Sequence, residues 1–270
     1  MTRSFLAGEA VWIELSTSEP ESAERFYSEL LGWEVRHEQI GSSTYRMCSL
    51  RGRDVAGISD AGTLHGGRRG WITYFAVDDI EDSARRAVAL GGELLTPPRY
   101  LPAAGAGGAV TDPYGAVFGL YQGETRVGVE MLNEVGALCW NELDTGEPEA
   151  SVDFYRSLFG FGAERRDSPT SQPYTVLTLG DVPVAGVLEL DNDWPNLIPS
   201  QWIAYFNVAS LPDALNTVVS LGGTPSVGPI ASPHGALHLV RDPAGNTLCL
   251  IELEDGLRPD TLPHDPAVTA

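Results

Sequence analysis

Near its start the chain alternates apolar and polar positions, with Val11, Ile13 and Leu15 set against Trp12, Glu14 and Ser16, the pattern of a half-buried strand. The period then changes. Phe26, Leu30 and Leu31 recur at helical spacing, Pro20 suits a first helical turn, and Gly32 stands where a left-handed residue commonly stops a helix. Apolar runs at Tyr45–Leu50 and Val55–Ile58 predict two short strands. A second half follows on the same plan: a strand over Trp71–Val77, a helix ending at Gly91-Gly92, a strand before the DPYG turn, and a last strand over Val117–Tyr121.

The whole pattern then recurs. VWIELSTSEPESAERFYSELLGW near the start returns as CWNELDTGEPEASVDFYRSLFGF, 128 positions later, placing Trp12 on Trp140, Glu14 on Glu142, Pro20 on Pro148, Phe26-Tyr27 on Phe154-Tyr155 and Gly32 on Gly160. GWITYFAVDD matches QWIAYFNVAS, Leu90-Gly91-Gly92 matches Leu221-Gly222-Gly223, and TDPYGAVFGLY matches RDPAGNTLCLI. The second copy accordingly predicts strands over Tyr174–Leu179, Val184–Leu188, Trp202–Val208 and Thr247–Glu252. The expected organisation is a module over residues 1–125, a joining segment over 126–133, a module over 134–256, and a flexible Pro- and Asp-rich tail over 257–270. Each module reads as two βαβββ units.

Charge and cysteine content narrow the partners. Seventeen basic residues against 37 acidic ones give a net charge of -20, which repels nucleic acid and anionic membranes and favours, if anything, a cationic small ligand. Cys48, Cys139 and Cys249 show no CxxC spacing, so neither a disulfide framework nor a zinc knuckle is indicated. No apolar run approaches 18 residues, and the start lacks the form of a secretory leader, so a cytoplasmic address is expected.

The strand-helix opening closed by FYxxLxG, the central strand, the LGG turn and the DPxGxxxxL ending together resemble the vicinal oxygen chelate superfamily, which includes glyoxalase I, extradiol dioxygenases and bleomycin-resistance proteins. The resemblance implies an α+β fold of tandem glyoxalase-like modules, each bending paired βαβββ units into a cup-shaped mixed sheet. Relatives commonly hold a divalent ion with residues of the first, fifth and last strands. Those positions fall on Trp12 and Trp140, on Trp71 and Trp202, and on Gly119 and Cys249. Such residues do not make a metal site, so no metal or other cofactor is expected. The histidines offer no substitute: His234 and His238 read as loop into strand, where four residues span roughly 13 Å, and His37, His65 and His264 fall in apparent loops or the tail.

Alternation places Trp12, Glu14 and Ser16 on one face, and Trp140, Glu142 and Asp144 on its equivalent. The same reasoning aims Trp71, Thr73 and Phe75, or Trp202, Ala204 and Phe206, at the cups, with Cys249 beside them. Indoles, phenyl rings and a carboxylate suit a planar, partly cationic molecule. Similarity to drug-binding members, and to two-module proteins of anthracycline-type pathways, implies metal-independent binding of a small aromatic natural product. Sequestration for self-resistance and service to a pathway enzyme are both open. The alternative is a metal-independent lyase, isomerase or hydroxylase-like enzyme with Glu14 or Glu142 as catalytic base. GAGG at 105–108 lacks the spacing of a phosphate loop and is expected to be a flexible loop over the pocket.

Overall fold

The structure, a computed structural model, describes residues 5–40, 43–61, 67–101, 105–123, 128–166, 172–190 and 200–254. The first half runs β1 (Ala10–Thr17), α1 (Pro20–Leu31), β2 (Glu34–Ile40), β3 (Ser43–Leu50), β4 (Arg53–Asp60), β5 (Gly70–Ala76), α2 (Ile80–Ala89), β6 (Glu93–Leu101), β7 (Gly105–Thr111) and β8 (Val117–Gly123). The second repeats it with β9 (Leu138–Thr145), α3 (Pro148–Phe159), β10 (Gly162–Arg166), β11 (Tyr174–Leu179), β12 (Val182–Glu189), β13 (Gln201–Asn207), α4 (Leu211–Ser220), β14 (Thr224–Ser232), β15 (Gly235–Arg241) and β16 (Thr247–Leu253).

Each half forms one curled eight-stranded sheet, in the order β2-β3-β4-β1-β5-β8-β7-β6 and β10-β11-β12-β9-β13-β16-β15-β14. Within a βαβββ unit the first and last strands lie parallel, as β1 with β4 and β5 with β8. The two units of a sheet meet where β1 runs antiparallel to β5, and β9 to β13. Helix ends follow their sequence signals. Pro20 and Pro148 open α1 and α3, Gly32 and Gly160 close them at φ 75 and 76, and the Asp79 and Ser210 side chains cap α2 and α4.

The outer, helix-bearing faces of the two sheets pack together. One buried cluster joins Ile13, Leu15, Phe26 and Tyr27 of the first half to Ala204, Phe206, Val218 and Leu250 of the second. Another joins Phe75 and Phe118 to Phe154, Tyr155 and Trp202. The segment after β8 also packs inward: the Val129 and Glu130 amides donate to the carbonyls of Val11 and Asp54, and Met131 is buried. The predicted tail, with His264, lies outside the described residues, as does His65.

Two local expectations are corrected. GAGG is not a loop but the start of β7, paired between β6 and β8. Its glycines suit that place, because β6 is irregular over Thr96–Arg99 and Gly108 lies so near that an added Cβ would stand 3.1 Å from Thr96 O. His37 is likewise on a strand, β2, where its ring meets Glu24 at 2.8 Å on the surface.

Candidate functional site

The concave face is set by a bulge in each first strand. Register between β1 and β5 slips between Ala10 and Trp12, and between β9 and β13 at the matching place. A bulge re-aims side chains, and here Val11 with Trp12, and Cys139 with Trp140, join the concave-face clusters. Two residues on, Glu14 and Glu142 face the same way, because paired residues of antiparallel strands share a face and Glu14 pairs with Ile72 and Glu142 with Ile203.

A tyrosine bridges indole and carboxylate in each cup. Trp12 Nε1 donates to Tyr45 Oη at 2.9 Å, and Tyr45 donates to Glu14 Oε2 at 3.1 Å. Trp140 Nε1 donates to Tyr174 Oη at 2.9 Å, and Tyr174 in turn bonds Glu142. Glycine permits the close approach: a Cβ on Gly57 or Gly186 would collide with the hydroxyl of Tyr45 or Tyr174. A second tyrosine comes from each central strand. Tyr74 lies over Gly119, while Tyr205, whose partner on the last strand is Cys249, donates to Glu142 Oε1.

Burial dominates the electrostatics. Glu14 is 5% exposed and Glu142 6%. Burial raises the Glu142 carboxyl above its ordinary value, and bonds from Tyr205, Tyr174 and Asp144 pull it partly back. Asp144 is raised further, by burial first and then by the neighbouring Glu142 charge. The phenols of Tyr45, Tyr74, Tyr174 and Tyr205 and the thiol of Cys249 are all raised, chiefly by burial. They are therefore neutral donors near pH 7.

Among the expected ligand-binding residues, Trp12, Glu14, Trp140, Glu142 and Cys249 reach the concave faces. Trp71, Phe75, Trp202 and Phe206 do not. Trp71 pairs with Leu15 on the helix-bearing face and packs on Phe206 across the interface with ring centroids 5.1 Å apart; Phe75 and Trp202 meet the same way at 5.2 Å. Thr73 donates to Asn141 Oδ1 across that interface, and Ala204 is in its core. The tyrosines were missed by sequence reasoning. Their signal was the repeat itself, which keeps ITYF as IAYF and sets VAG after a tyrosine-led strand in both copies.

The donors of these cups do not fit the family's divalent ion. A ligand on the central strand must point inward, and there β5 offers Ile72 and Tyr74, and β13 Ile203 and Tyr205, in place of the expected Trp71 and Trp202. With Trp12 and Gly119, or Trp140 and Cys249, each set lacks an imidazole, and the phenols and thiol are held protonated. Among the described residues no group of three or more His, Cys, Asp or Glu side chains is placed to hold a metal. His234 lies in a turn, His238 on β15 bonds Leu239 O at 2.8 Å, and Glu252 accepts the Leu211 amide at the start of α4.

Two curled sheets, each of paired βαβββ units with a Trp–Tyr–Glu cluster on its concave face, define a two-module protein of the vicinal oxygen chelate superfamily. The chain belongs to the glyoxalase-like domain family, whose sequence model matches residues 12–121 and 140–251. It is 33% identical over 255 residues to "Putative glyoxylase CFP32" of Mycobacterium tuberculosis, covering 89% of this chain and 97% of that one. It is 28% identical over 271 residues to the anthracycline biosynthesis protein DnrV of Streptomyces peucetius, covering 95% and 97%. Among solved structures it is similar in fold to the 2,3-dioxygenase LapB from Pseudomonas sp. KL28, with a TM-score of 0.61 at 18% identity over 98% of each chain. The Mn(II)-bound glyoxalase from Novosphingobium aromaticivorans gives 0.59 at 13%, covering 96% of this chain and 95% of that one. Among the described residues no helix is long and apolar enough to cross a membrane.

Proposed function

We propose that the chain binds a small planar aromatic natural product in its cups without a metal, either sequestering it or holding it for a biosynthetic enzyme. The observation that carries this reading is the polar-aromatic chain Trp–Tyr–Glu on both concave faces, where the indole and phenol rings offer stacking surfaces and the carboxylate fixes orientation. The similarity to DnrV and to DauV of Streptomyces sp. strain C5, both described as anthracycline biosynthesis proteins, supports the choice of ligand class.

Titration with a panel of polycyclic aromatic antibiotics, followed by tryptophan fluorescence and calorimetry, tests it. Binding is expected to weaken by about 1–3 kcal/mol, roughly 5- to 150-fold, on Trp12→Leu or Trp140→Leu. A panel in which nothing binds overturns the reading. One observation favours the enzymatic alternative, since a buried Glu142 with a raised pKa suits a general base. Product detected by mass spectrometry, formed catalytically and abolished by Glu142→Gln or Glu14→Gln, decides for it.

A further inference from the structure

The two cups differ beside their carboxylates. In the first, Ser16 follows Glu14 on the concave face, Ser16 Oγ donates to Arg68 O at 2.7 Å, and its cross-strand neighbour Ser59 donates to Glu14 Oε1 at 2.5 Å. In the second, Asp144 takes the place of Ser16 and Leu188 that of Ser59, so Glu142 loses a hydroxyl neighbour and gains a second carboxyl.

Asp144 is 3% exposed and hydrogen-bonds Glu142, but among the described residues its Oδ1 has no partner. Glu142, by contrast, already takes Tyr205, Tyr174 and Asp144. Around the pair stand Tyr174 of β11, Tyr205 of β13 and Cys249 of β16, all kept protonated by burial. Among the described residues no Lys, Arg or His contributes to either carboxyl. Two adjacent carboxyls that share a proton retain one negative charge, and an unpaired buried acceptor is unfavourable until a donor reaches it. A single alkylammonium group supplies both the positive charge and the missing N–H.

We propose that the second cup is an amine subsite, in which Asp144 Oδ1, backed by Glu142, receives a protonated primary or secondary amine carried by the aromatic ligand. The proposal rests on the aromatic-cup reading and adds to it the ligand's charged group and the cup that takes it. It accounts for the presence of a buried acid where the first cup manages with serine.

The test compares 1-naphthalenemethylamine with neutral 1-naphthalenemethanol by calorimetry near pH 7, in salt high enough to screen the acidic surface. Wild type is expected to bind the amine about ten-fold more tightly, a preference worth about 1.4 kcal/mol. Asp144→Ser, which installs the residue of the first cup and removes the acceptor Oδ1, should remove the preference. Trp12→Leu should retain the preference and Trp140→Leu lose it. Equal affinity of wild type for the two probes overturns the amine subsite, leaving Oδ1 to an internal water and the aromatic-cup reading intact. Failure of both probes to bind overturns both. Because the comparison is first made on the wild-type chain, a misfolded variant does not decide it.

Discussion

The phenol of Tyr27 in α1 donates a 3.1 Å hydrogen bond to Oδ2 of Asp242, 215 positions away in the turn between β15 and β16 of the other module. Tyr155 and Asp112 repeat the contact in the opposite direction at 3.1 Å. Each aspartate also closes its own DPxG turn, Asp242 Oδ1 accepting the amides of Ala244 and Asn246 and Asp112 Oδ1 those of Tyr114 and Ala116. Each tyrosine in turn accepts the indole N–H of a central-strand tryptophan, Trp71 at 3.2 Å and Trp202 at 2.9 Å. The FY and DPxG motifs therefore clasp the modules to each other.

Tyr27→Phe or Tyr155→Phe should cost about 1–3 kcal/mol, since each takes the acceptor from a buried indole N–H, and Tyr155→Phe also takes a donor from Asp112 Oδ2 whereas Asp242 Oδ2 keeps the Asn246 side-chain amide. Urea unfolding followed by circular dichroism measures the loss. Because the core is shared, wild type should unfold in one transition. Two separated transitions would falsify the interlocked core.

The tryptophans should divide by face. Trp71→Leu and Trp202→Leu open voids between the modules, and each is expected to destabilise by about 2–4 kcal/mol, a loss read directly from the shift in urea midpoint. Trp12→Leu, at a half-buried concave position, should cost under about 1.5 kcal/mol. A Trp12 variant as unstable as the Trp71 variant would make Trp12 a core residue and remove it from the ligand site.

What the chain disclosed beforehand follows this division. Glu14 and Glu142 were legible as concave-face residues because polar side chains punctuate β1 and β9. Trp71 and Phe75 were not: GWITYFA is apolar almost throughout, buried at every interior position, and periodicity is silent on a strand covered on both faces. Only the pairing of Leu15 with Trp71 resolves it. The tyrosine bridges escaped for a different reason, since they depend on Gly57 and Gly186, which lie on the strand between each tyrosine and the indole and carboxylate it joins, a neighbourhood that only the sheet order reveals.

The thiols offer a check on the cores. Cys48, Cys139 and Cys249 are free and buried, with burial raising each above its usual value. Ellman's reagent should label none of them in the native protein and all of them in 6 M guanidinium. Rapid native labelling of Cys249 alone would open the second cup to solvent.

Stability should fall as pH rises from mildly acidic to alkaline, and Asp144 should carry much of the change. Burial raises Asp112, Glu142 and Asp144 above their ordinary values, so across the window from the usual carboxylate range up to each raised value the native state binds more protons than the unfolded one. Each raised group thus gives its full contribution below its unfolded pKa and loses it as pH climbs through the folded one, by at most about 1.4 kcal/mol per pH unit. Asparagine imitates the protonated acid in shape and retains a donor for Glu142. Asp144→Asn should therefore match wild type in acid and exceed it at pH 8, where wild type folds only by holding a proton that the unfolded chain has released or by ionising a buried carboxyl beside another. Urea midpoints at pH 5.5, 6.5, 7.5 and 8.5 decide the point, and parallel curves for the two proteins would mean that Asp144 does not titrate on folding. Stabilisation by Asp144→Asn, together with loss of the amine preference on Asp144→Ser, would make Asp144 a residue retained for binding at the expense of stability.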